Sequence, residues 1–360
     1  MTTELTADPI AASAINDTRK AELLSNEVEH IDIKSFDARP IVDAMGKMSF
    51  TSRDLARATR IYNLMLSDPN CSVILVIAGS TSAGGCMDLY ADLVAHNMVD
   101  AIVATGAAIV DMDFFEALGH KHYQALEIPD DDTLRSLYID RIYDTYIDEE
   151  KLQETDFTIG DIANGLEPRP YSSREFIREM GKWLSDGNGK KDNSLVKLAY
   201  EHDVPIFCPA FTDSSAGFGL VKHQVDAMKQ GRRYMTLDSI ADFRELTDIK
   251  IKAGDTGLLM IGGGVPKNFV QDTVVCAEIL GHEDVSVHKY AVQITVADVR
   301  DGACSSSTLQ EAASWGKVST AMEQMVFAEA TSVLPLMASD AYHRGHWKNR
   351  EKRRFAKLFD

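Results

Sequence analysis

The sequence predicts an α/β protein in which a mostly parallel β-sheet is covered by helices on both faces. Short apolar runs rich in β-branched residues recur along the chain, and most of them lack polar alternation. Continuous apolar runs of this kind are typical of strands that are buried on both faces. Helical stretches separate the runs, and this is the arrangement that connects parallel strands.

Six runs are candidate strands. They are residues 73–78, 101–105, 205–209, 257–262, 290–295 and 324–328. Ligands of an open parallel sheet bind beyond the carboxyl ends of its strands. The loops that follow these six runs are therefore where we expect the functional residues.

Three stretches between the strands predict helices: residues 89–97, 172–184 and 194–202. The start of the second is the best defined, because Ser172 is followed three residues later by Glu175, which is the pattern of a capping box. The stretch from 127 to 170 is acidic and contains tyrosines, which predicts an insertion or a segment that covers the edge of the sheet.

The two ends of the chain predict extensions to a single domain that spans residues 41–342. Residues 1–40 lack a strand pattern and predict an N-terminal arm. Residues 343–360 form a basic tail with seven Lys and Arg residues between 344 and 357. We expect this tail to form a solvated helix face or to pair with acidic neighbours.

The composition is that of a soluble globular protein: 360 residues, 45% hydrophobic and 26% charged. Five scattered cysteines argue against a disulfide framework and favour a reducing cytoplasm. The first residues do not resemble an export signal, and no apolar run is long enough to predict a membrane span. The ten histidines show no paired ligand spacing, so no metal site is predicted.

The net charge of −18 opposes binding to nucleic acids and to anionic membranes. An acidic surface can raise the local concentration of cationic small molecules, although acidity also simply keeps a protein soluble. The charge therefore favours an amine substrate only weakly.

Loops rich in small residues follow three of the candidate strands. Residues 79–85 resemble a phosphate-binding loop but have Gly85 where a lysine is needed, which argues against nucleoside triphosphate hydrolysis. Residues 262–264 are three glycines that suit either the pyrophosphate of a dinucleotide or a tight turn. Asp213 can bind ribose hydroxyls or cap the next helix.

Lys317 is the candidate nucleophile, two residues after the large aromatic side chain of Trp315. A lysine amine attacks carbonyl or imine carbons only when it is uncharged, and apolar burial favours that form. Trp315 can also attract an alkylammonium substrate by a cation–π interaction. The alternative is a surface lysine beside a packed tryptophan, which is the commoner arrangement in proteins.

Five segments together resemble the deoxyhypusine synthase family, and the similarity runs in order from about residue 41 to 342. The segments are HNMVDAIV (96–103), PAFTDSSAG (209–217), IGGGVPKN (261–268), DGACSSS (301–307) and EAASWGK (311–317). The resemblance implies a Rossmann-like, doubly wound fold, NAD as the cofactor, and a homotetramer whose active sites are built across a dimer interface. It also implies that an aminobutyl group is taken from spermidine and held as an imine on a lysine.

The resemblance implies roles for particular residues. Lys317 matches the nucleophile, Trp315 matches the wall of the polyamine channel, and Glu311 matches an anionic partner of the substrate. The residues that match NAD contacts are Gly79, Ser80, Thr105, Asp213, Gly263, Ala297, Glu329 and Ala330.

Departures from the family pattern fall in the substrate pocket. Of the acids in the family's GGVEED motif, this chain keeps only the shortened Asp111. Asn268 replaces a histidine, Cys304 replaces an aspartate after the retained Asp301, and Phe218 replaces a further acid. Each lost carboxylate removes a partner for a desolvated ammonium group, so we expect the pocket to hold its polyamine differently.

These departures favour a small amine such as putrescine as the acceptor, which gives homospermidine. Two alternatives stay open. The protein can be an authentic deoxyhypusine synthase that modifies a protein lysine, or a catalytically silent homologue that binds polyamine or NAD without turnover.

Overall fold

A central six-stranded sheet organises the computed structural model, which describes the backbone of residues 9–360 and the side chains from residue 16 onward. The strands of the described chain are β1 Ser72–Ile77, β2 Ala101–Ala104, β3 His122–Gln124, β4 Ile139–Ile142, β5 Thr145–Asp148, β6 Pro170–Tyr171, β7 Ile206–Phe207, β8 Thr236–Leu237, β9 Thr256–Ile261, β10 Tyr290–Thr295 and β11 Glu323–Phe327.

Helices connect and cover these strands. They are α1 Pro9–Leu23, α2 Arg39–Met45, α3 Phe50–Ser67, α4 Met87–Ala95, α5 Phe115–Ala117, α6 Asp131–Ser136, α7 Glu149–Asn164, α8 Ser173–Trp183, α9 Leu195–Glu201, α10 Ser215–Lys229, α11 Ser239–Ala253, α12 Gly264–Gln271, α13 Thr273–Ile279, α14 Leu309–Ser314 and α15 Ala330–Arg344. Short π-helical turns lie at Ser82–Cys86, Ala107–Phe114 and Leu184–Asn188, and 3₁₀ turns at His346–Asn349 and Phe355–Phe359.

The central sheet has the strand order β11-β10-β9-β1-β2-β7, and all neighbouring strands are parallel. The chain runs outward from β1 through β2 to β7, then returns to the other side of β1 and continues from β9 to β11. The direction of winding therefore reverses between β1 and β9, which creates the crevice where ligands of doubly wound sheets bind. The predicted α/β fold class is confirmed.

All six predicted strands lie in this sheet, but β7 is shorter than its apolar run. Pro205, directly before its two paired residues, has no N–H to donate to a neighbouring strand, and the Cys208 N–H, directly after them, donates to the Ser173 hydroxyl at 2.8 Å. The predicted capping box is present at α8: the Ser172 hydroxyl accepts from the Glu175 N–H at 3.2 Å, and the Glu175 carboxylate accepts from the Ser172 N–H at 3.1 Å.

The side chains of β1 alternate between two apolar layers. Val73, Leu75 and Ile77 face a layer that includes α3, α4 and α15. Ile74 and Val76 face a second layer that includes α11, α12 and α14. Because both faces are covered, every residue of β1 is buried.

The stretch predicted as an insertion contains β4, β5, α6 and α7. β5 and β4 join β3 in a small antiparallel sheet, and α7 packs against α10. In the basic tail, the buried Arg350 guanidinium donates to Asp100 at 2.5 Å, and Asp100 accepts from the Val73 N–H at 2.7 Å. The tail is thus tied to the amino ends of β1 and β2. None of the described helices combines the length and apolar character that crossing a membrane requires.

Candidate active site

A cleft of about 410 Å³ lies where the winding of the sheet reverses, beyond the carboxyl ends of β1, β2, β9 and β10. Its lining residues are small or apolar for the most part. They are Ala78, Gly79, Ala104, Thr105, Gly106, Pro209, Ala210, Asp213, Gly262, Gly263, Gly264, Val265, Pro266, Thr295, Val296, Ala297 and Ser305.

Glycines let the backbone approach the cleft closely. Gly79 has a φ of +86°, and a Cβ placed there meets no atom within 4 Å, so a side chain would enter open space. A Cβ on Gly262 would lie 2.6 Å from the Ala78 carbonyl oxygen, and one on Gly263 would lie 2.4 Å from the Ser305 Cα. The glycine run therefore contains a tight turn and also borders the cleft, so the two interpretations of the sequence are compatible.

Five of the residues that match NAD contacts line this cleft: Gly79, Thr105, Asp213, Gly263 and Ala297. Asp213 does not cap the helix that follows it, because the N-cap position of α10 is occupied by Ser214. The Ser214 side chain makes no cap hydrogen bond either. The Asp213 carboxylate is the acidic group among the cleft residues.

The remaining three matched residues lie elsewhere. Ser80 and Glu329 line a neighbouring cavity of about 620 Å³, and Ala330 is the first residue of α15. Glu329 caps this helix by accepting from the Thr331 N–H at 2.9 Å and the Ser332 N–H at 3.1 Å. Burial disfavours its carboxylate, but these hydrogen bonds outweigh burial and hold the pKa below its usual value.

The Lys317 side chain is only 12% exposed, and its amine contacts residues in α12 and directly after it. Lys317 is not among the residues that line the cleft. The Nζ atom is 2.5 Å from Asp272 Oδ1 and 3.4 Å from Asn268 Oδ1. Asn268 also donates to the other Asp272 oxygen at 2.8 Å. The Trp315 ring is 71% exposed, with its centroid 5.5 Å from Nζ. The structure thus brings Lys317, Asn268 and Trp315 together, and it adds Asp272, which the sequence did not single out.

Lys267 is a second lysine that sequence reasoning missed. It is 1% exposed, and its amine donates to the carbonyl oxygen and, at 3.1 Å, to the hydroxyl of Ser307. Burial lowers the pKa of its ammonium group to about 8, although nearby Cys304 and Glu311 favour the charged form. The available signal was helical periodicity, since Lys267 shares a buried face of α12 with Val270 and Gln271.

The polar loop before α14 carries the other predicted substrate residues. Glu311 is exposed and forms a capping box with Thr308. Its carboxylate accepts a hydrogen bond from the Thr308 N–H at 2.5 Å. Asp301 accepts from the Ala303 N–H at 2.8 Å and from a serine hydroxyl of the same loop. Cys304 is exposed. Each of the two carboxylates therefore already has local hydrogen-bond partners.

Asp111 belongs to a cluster of acids at the start of α10. It accepts from the Ser215 N–H at 2.9 Å, while the Ser215 hydroxyl donates to the buried Asp156. Burial raises the pKa of Asp111 to about 6; the Ser215 N–H opposes this shift, and nearby Asp156 and Asp213 add to it. Burial also raises the pKa of Asp156 to about 6. Asp156 comes from α7, and no motif in the sequence linked it to Asp111.

Within residues 9–360, no group of histidine, cysteine or acidic side chains is arranged to hold a metal ion. The arrangement instead offers a glycine-lined cleft, a lysine amine beside a carboxylate, and acids suited to cationic ligands.

Comparison with known proteins gives one consistent family. A sequence profile described as deoxyhypusine synthase matches residues 40–341. A deoxyhypusine synthase-like protein of Coxiella burnetii is 75% identical over 340 residues, which cover 94% of this chain and 96% of that protein. One from Caulobacter vibrioides is 69% identical over 345 residues, covering 96% and 94%. A crystal structure of a candidate deoxyhypusine synthase from Entamoeba histolytica shares the fold, with a TM-score of 0.60, 19% identity and coverage of 88% and 97%.

Proposed function

Because this chain belongs to the deoxyhypusine synthase family, we propose that it is an NAD-dependent aminobutyltransferase that moves the group from spermidine, or a related polyamine, to a small amine such as putrescine. The product is then homospermidine. The observation that carries the proposal is the position of the Lys317 amine, which contacts Asp272 and Asn268. Asn268 stands where the family pattern has a histidine.

The cleft suits a dinucleotide. Gly79 and Gly264 both have positive φ angles and line it, and a Cβ at Gly79 would enter open space. Backbone can therefore approach a pyrophosphate closely, and Asp213 can accept hydrogen bonds from ribose hydroxyls. When bound there, NAD supplies the hydride acceptor that oxidises the donor amine and the hydride donor that later reduces the product imine.

Lys317 performs the transfer. Its amine attacks the carbon of the oxidised donor, the bond from that carbon to 1,3-diaminopropane breaks, and the aminobutyl group remains as an imine on Nζ. The acceptor amine then attacks this imine carbon and releases Lys317. Asp272, at 2.5 Å, is placed to take the proton that the lysine ammonium must lose before it attacks.

A partner subunit completes the site in this proposal, as the family resemblance implies for a homotetramer. Two observations support it. Lys317 is not among the residues that line the cleft. In addition, α10 exposes an apolar row on one face, at Phe218, Val221, Val225 and Met228, directly after the Asp111 cluster. Such a row is more typical of a contact with protein than of a surface facing water.

The decisive experiment is a product assay. Purified protein is incubated with NAD, spermidine and putrescine, and the products are identified by mass spectrometry; we expect homospermidine and 1,3-diaminopropane. A folded, NAD-binding sample that forms neither product contradicts the proposal. Release of 1,3-diaminopropane only when an initiation-factor precursor protein is added supports the protein-modifying alternative, and binding of polyamine without turnover supports the silent homologue.

The acid cluster predicts how donor binding depends on pH. Amines keep their charge well above pH 7, whereas Asp111 and Asp156 take up protons as the pH falls through about 6. For each carboxylate that must be ionised, we expect the affinity for spermidine to fall about tenfold per pH unit below that point. Calorimetry between pH 5 and 8 measures the affinity for spermidine at each pH. We expect the affinity of Asp111→Asn to depend less on pH than that of the wild type. An unchanged profile in that variant contradicts a role for Asp111 in binding.

A further inference from the structure

A chain of buried polar side chains ends at His288, a residue whose backbone is hydrogen-bonded to that of Lys317. His288, just before β10, is 0% exposed, and Thr256 and Lys250 are buried as well. The Lys250 amine is 3.0 Å from the Thr256 hydroxyl, and that hydroxyl is 2.7 Å from His288 Nδ1. At the other end of the ring, His288 Nε2 is 3.2 Å from the Val270 carbonyl oxygen.

The direction of these hydrogen bonds follows from the chemistry of the groups. The carbonyl of Val270 only accepts, so Nε2 carries the hydrogen and Nδ1 accepts from the Thr256 hydroxyl. That hydroxyl in turn accepts from Lys250, which also donates to the Gly254 carbonyl at 2.9 Å. Burial and the neighbouring Lys250 hold the pKa of His288 well below its usual value, so the ring is neutral.

The backbone of His288 holds the segment that carries Lys317. The His288 N–H donates to the Lys317 carbonyl oxygen at 2.9 Å, and the His288 carbonyl accepts from the Ser319 N–H at 2.9 Å. Lys317 therefore sits at the first of two hydrogen bonds that fix this segment beside the amino end of β10.

The imidazole of His288 bonds to α12, the helix on the other side of the Lys317 amine's contacts. Val270 lies on α12, two residues after Asn268 and two before Asp272, which directly follows the helix; Asn268 and Asp272 are the two residues in contact with the Lys317 amine. His288 thus bonds to the backbone of Lys317 and also to the helix that carries Asn268 and ends directly before Asp272.

We propose that His288 is a positioning residue that fixes the distance between the Lys317 amine and Asp272 by bonding to both segments. The inference rests on the proposed function of Lys317. Buried polar groups are unfavourable unless each one has a partner, and an apolar side chain of similar size could fill the same space. A positioning role explains why Lys250, Thr256 and His288 are present in this buried layer. A misplacement of about 1 Å can reduce a rate about 100-fold.

His288→Leu keeps the bulk of the ring but removes its N–H, whereas His288→Gln keeps a donor for Val270 and an acceptor for Thr256. We expect kcat to fall tenfold to about 100-fold in the leucine variant with little change in the donor KM or the NAD affinity, and the glutamine variant to recover most of the loss. His122→Gln is the matched control, because His122 is also buried and hydrogen-bonded but contacts Glu116 instead.

A second measurement does not depend on the reaction. The rate at which trinitrobenzenesulfonate modifies Lys317, followed by peptide mass mapping, reports how firmly the amine is held. We expect this rate to rise in His288→Leu and to stay near wild type in His288→Gln and His122→Gln. If the wild-type protein transfers no aminobutyl group, the proposed function fails while this measurement still tests the positioning role. Wild-type labelling and wild-type kcat in His288→Leu, or equal losses in the leucine and glutamine variants, overturn the inference.

Discussion

Replacing Lys317 by alanine is expected to abolish both turnover and the adduct that borohydride traps from donor and NAD, because the amine that we propose forms the imine is gone. NAD affinity should stay within about threefold of wild type, since the side chain is not among those that line the cleft. Loss of a nucleophile commonly lowers kcat by several orders of magnitude. Intact-mass spectrometry after reduction measures the adduct, and equilibrium titration with NAD measures the affinity.

A control variant and a rival lysine make this test specific. Lys252→Ala removes an exposed lysine of α11 and should leave adduct formation and turnover unchanged. Lys267 is the rival amine near the site: it is buried, and its pKa is lowered to about 8 by burial and in part by the nearby charge of Lys317. An adduct that persists in Lys317→Ala and maps to Lys267 would show that the wrong lysine was assigned.

The sheet could be predicted from the sequence because its strands are buried on both faces. Residues 73–77 and 257–261 are unbroken apolar runs that lie next to each other in the centre of the sheet. Apolar character did not reveal where each strand ends. At β7, pairing is limited to two residues, because Pro205 before them has no N–H and the Cys208 N–H after them is bonded to the Ser173 hydroxyl.

Part of the site could be predicted from the sequence, because the loops after the strands were expected to meet at one edge of the sheet, and five of the residues that match NAD contacts do line one cleft there. Trp315 and Lys317 lie two positions apart, so their proximity is a local property of the chain. Asp272, directly after α12, and Asp156, on α7, come from other parts of the chain, and their contacts with Lys317 and Ser215 depend on how those helices pack. Lys267 was missed for another reason: its burial is a property of one face of α12, and a lysine is seldom expected on such a face.

Gly79→Leu is expected to weaken NAD binding by at least about 100-fold, or about 2.7 kcal/mol, because its side chain would occupy the cleft where the backbone now borders open space. Gly231→Leu is the matched control. Gly231 is also exposed, has a φ of +62° and meets no atom within 4 Å of a Cβ, but it lies after α10, away from the cleft. Both substitutions should therefore share the strain of positive φ, about 1 kcal/mol, and similar losses in melting temperature. Only Gly79→Leu should lose NAD binding, and equal NAD affinities would place the dinucleotide elsewhere.

Co-expression of Gly79→Leu with Lys317→Ala then tests whether subunits share a site. Each variant alone is expected to be inactive, one for lack of cofactor and the other for lack of the amine. If the cleft of one subunit works with Lys317 of its partner, mixed assemblies contain some sites that carry neither substitution, and part of the activity returns. If each subunit uses its own lysine and its own cleft, every site carries one of the two substitutions and no activity returns. Mixed assemblies that are confirmed by native mass spectrometry but remain inactive would contradict the proposal that a partner completes the site.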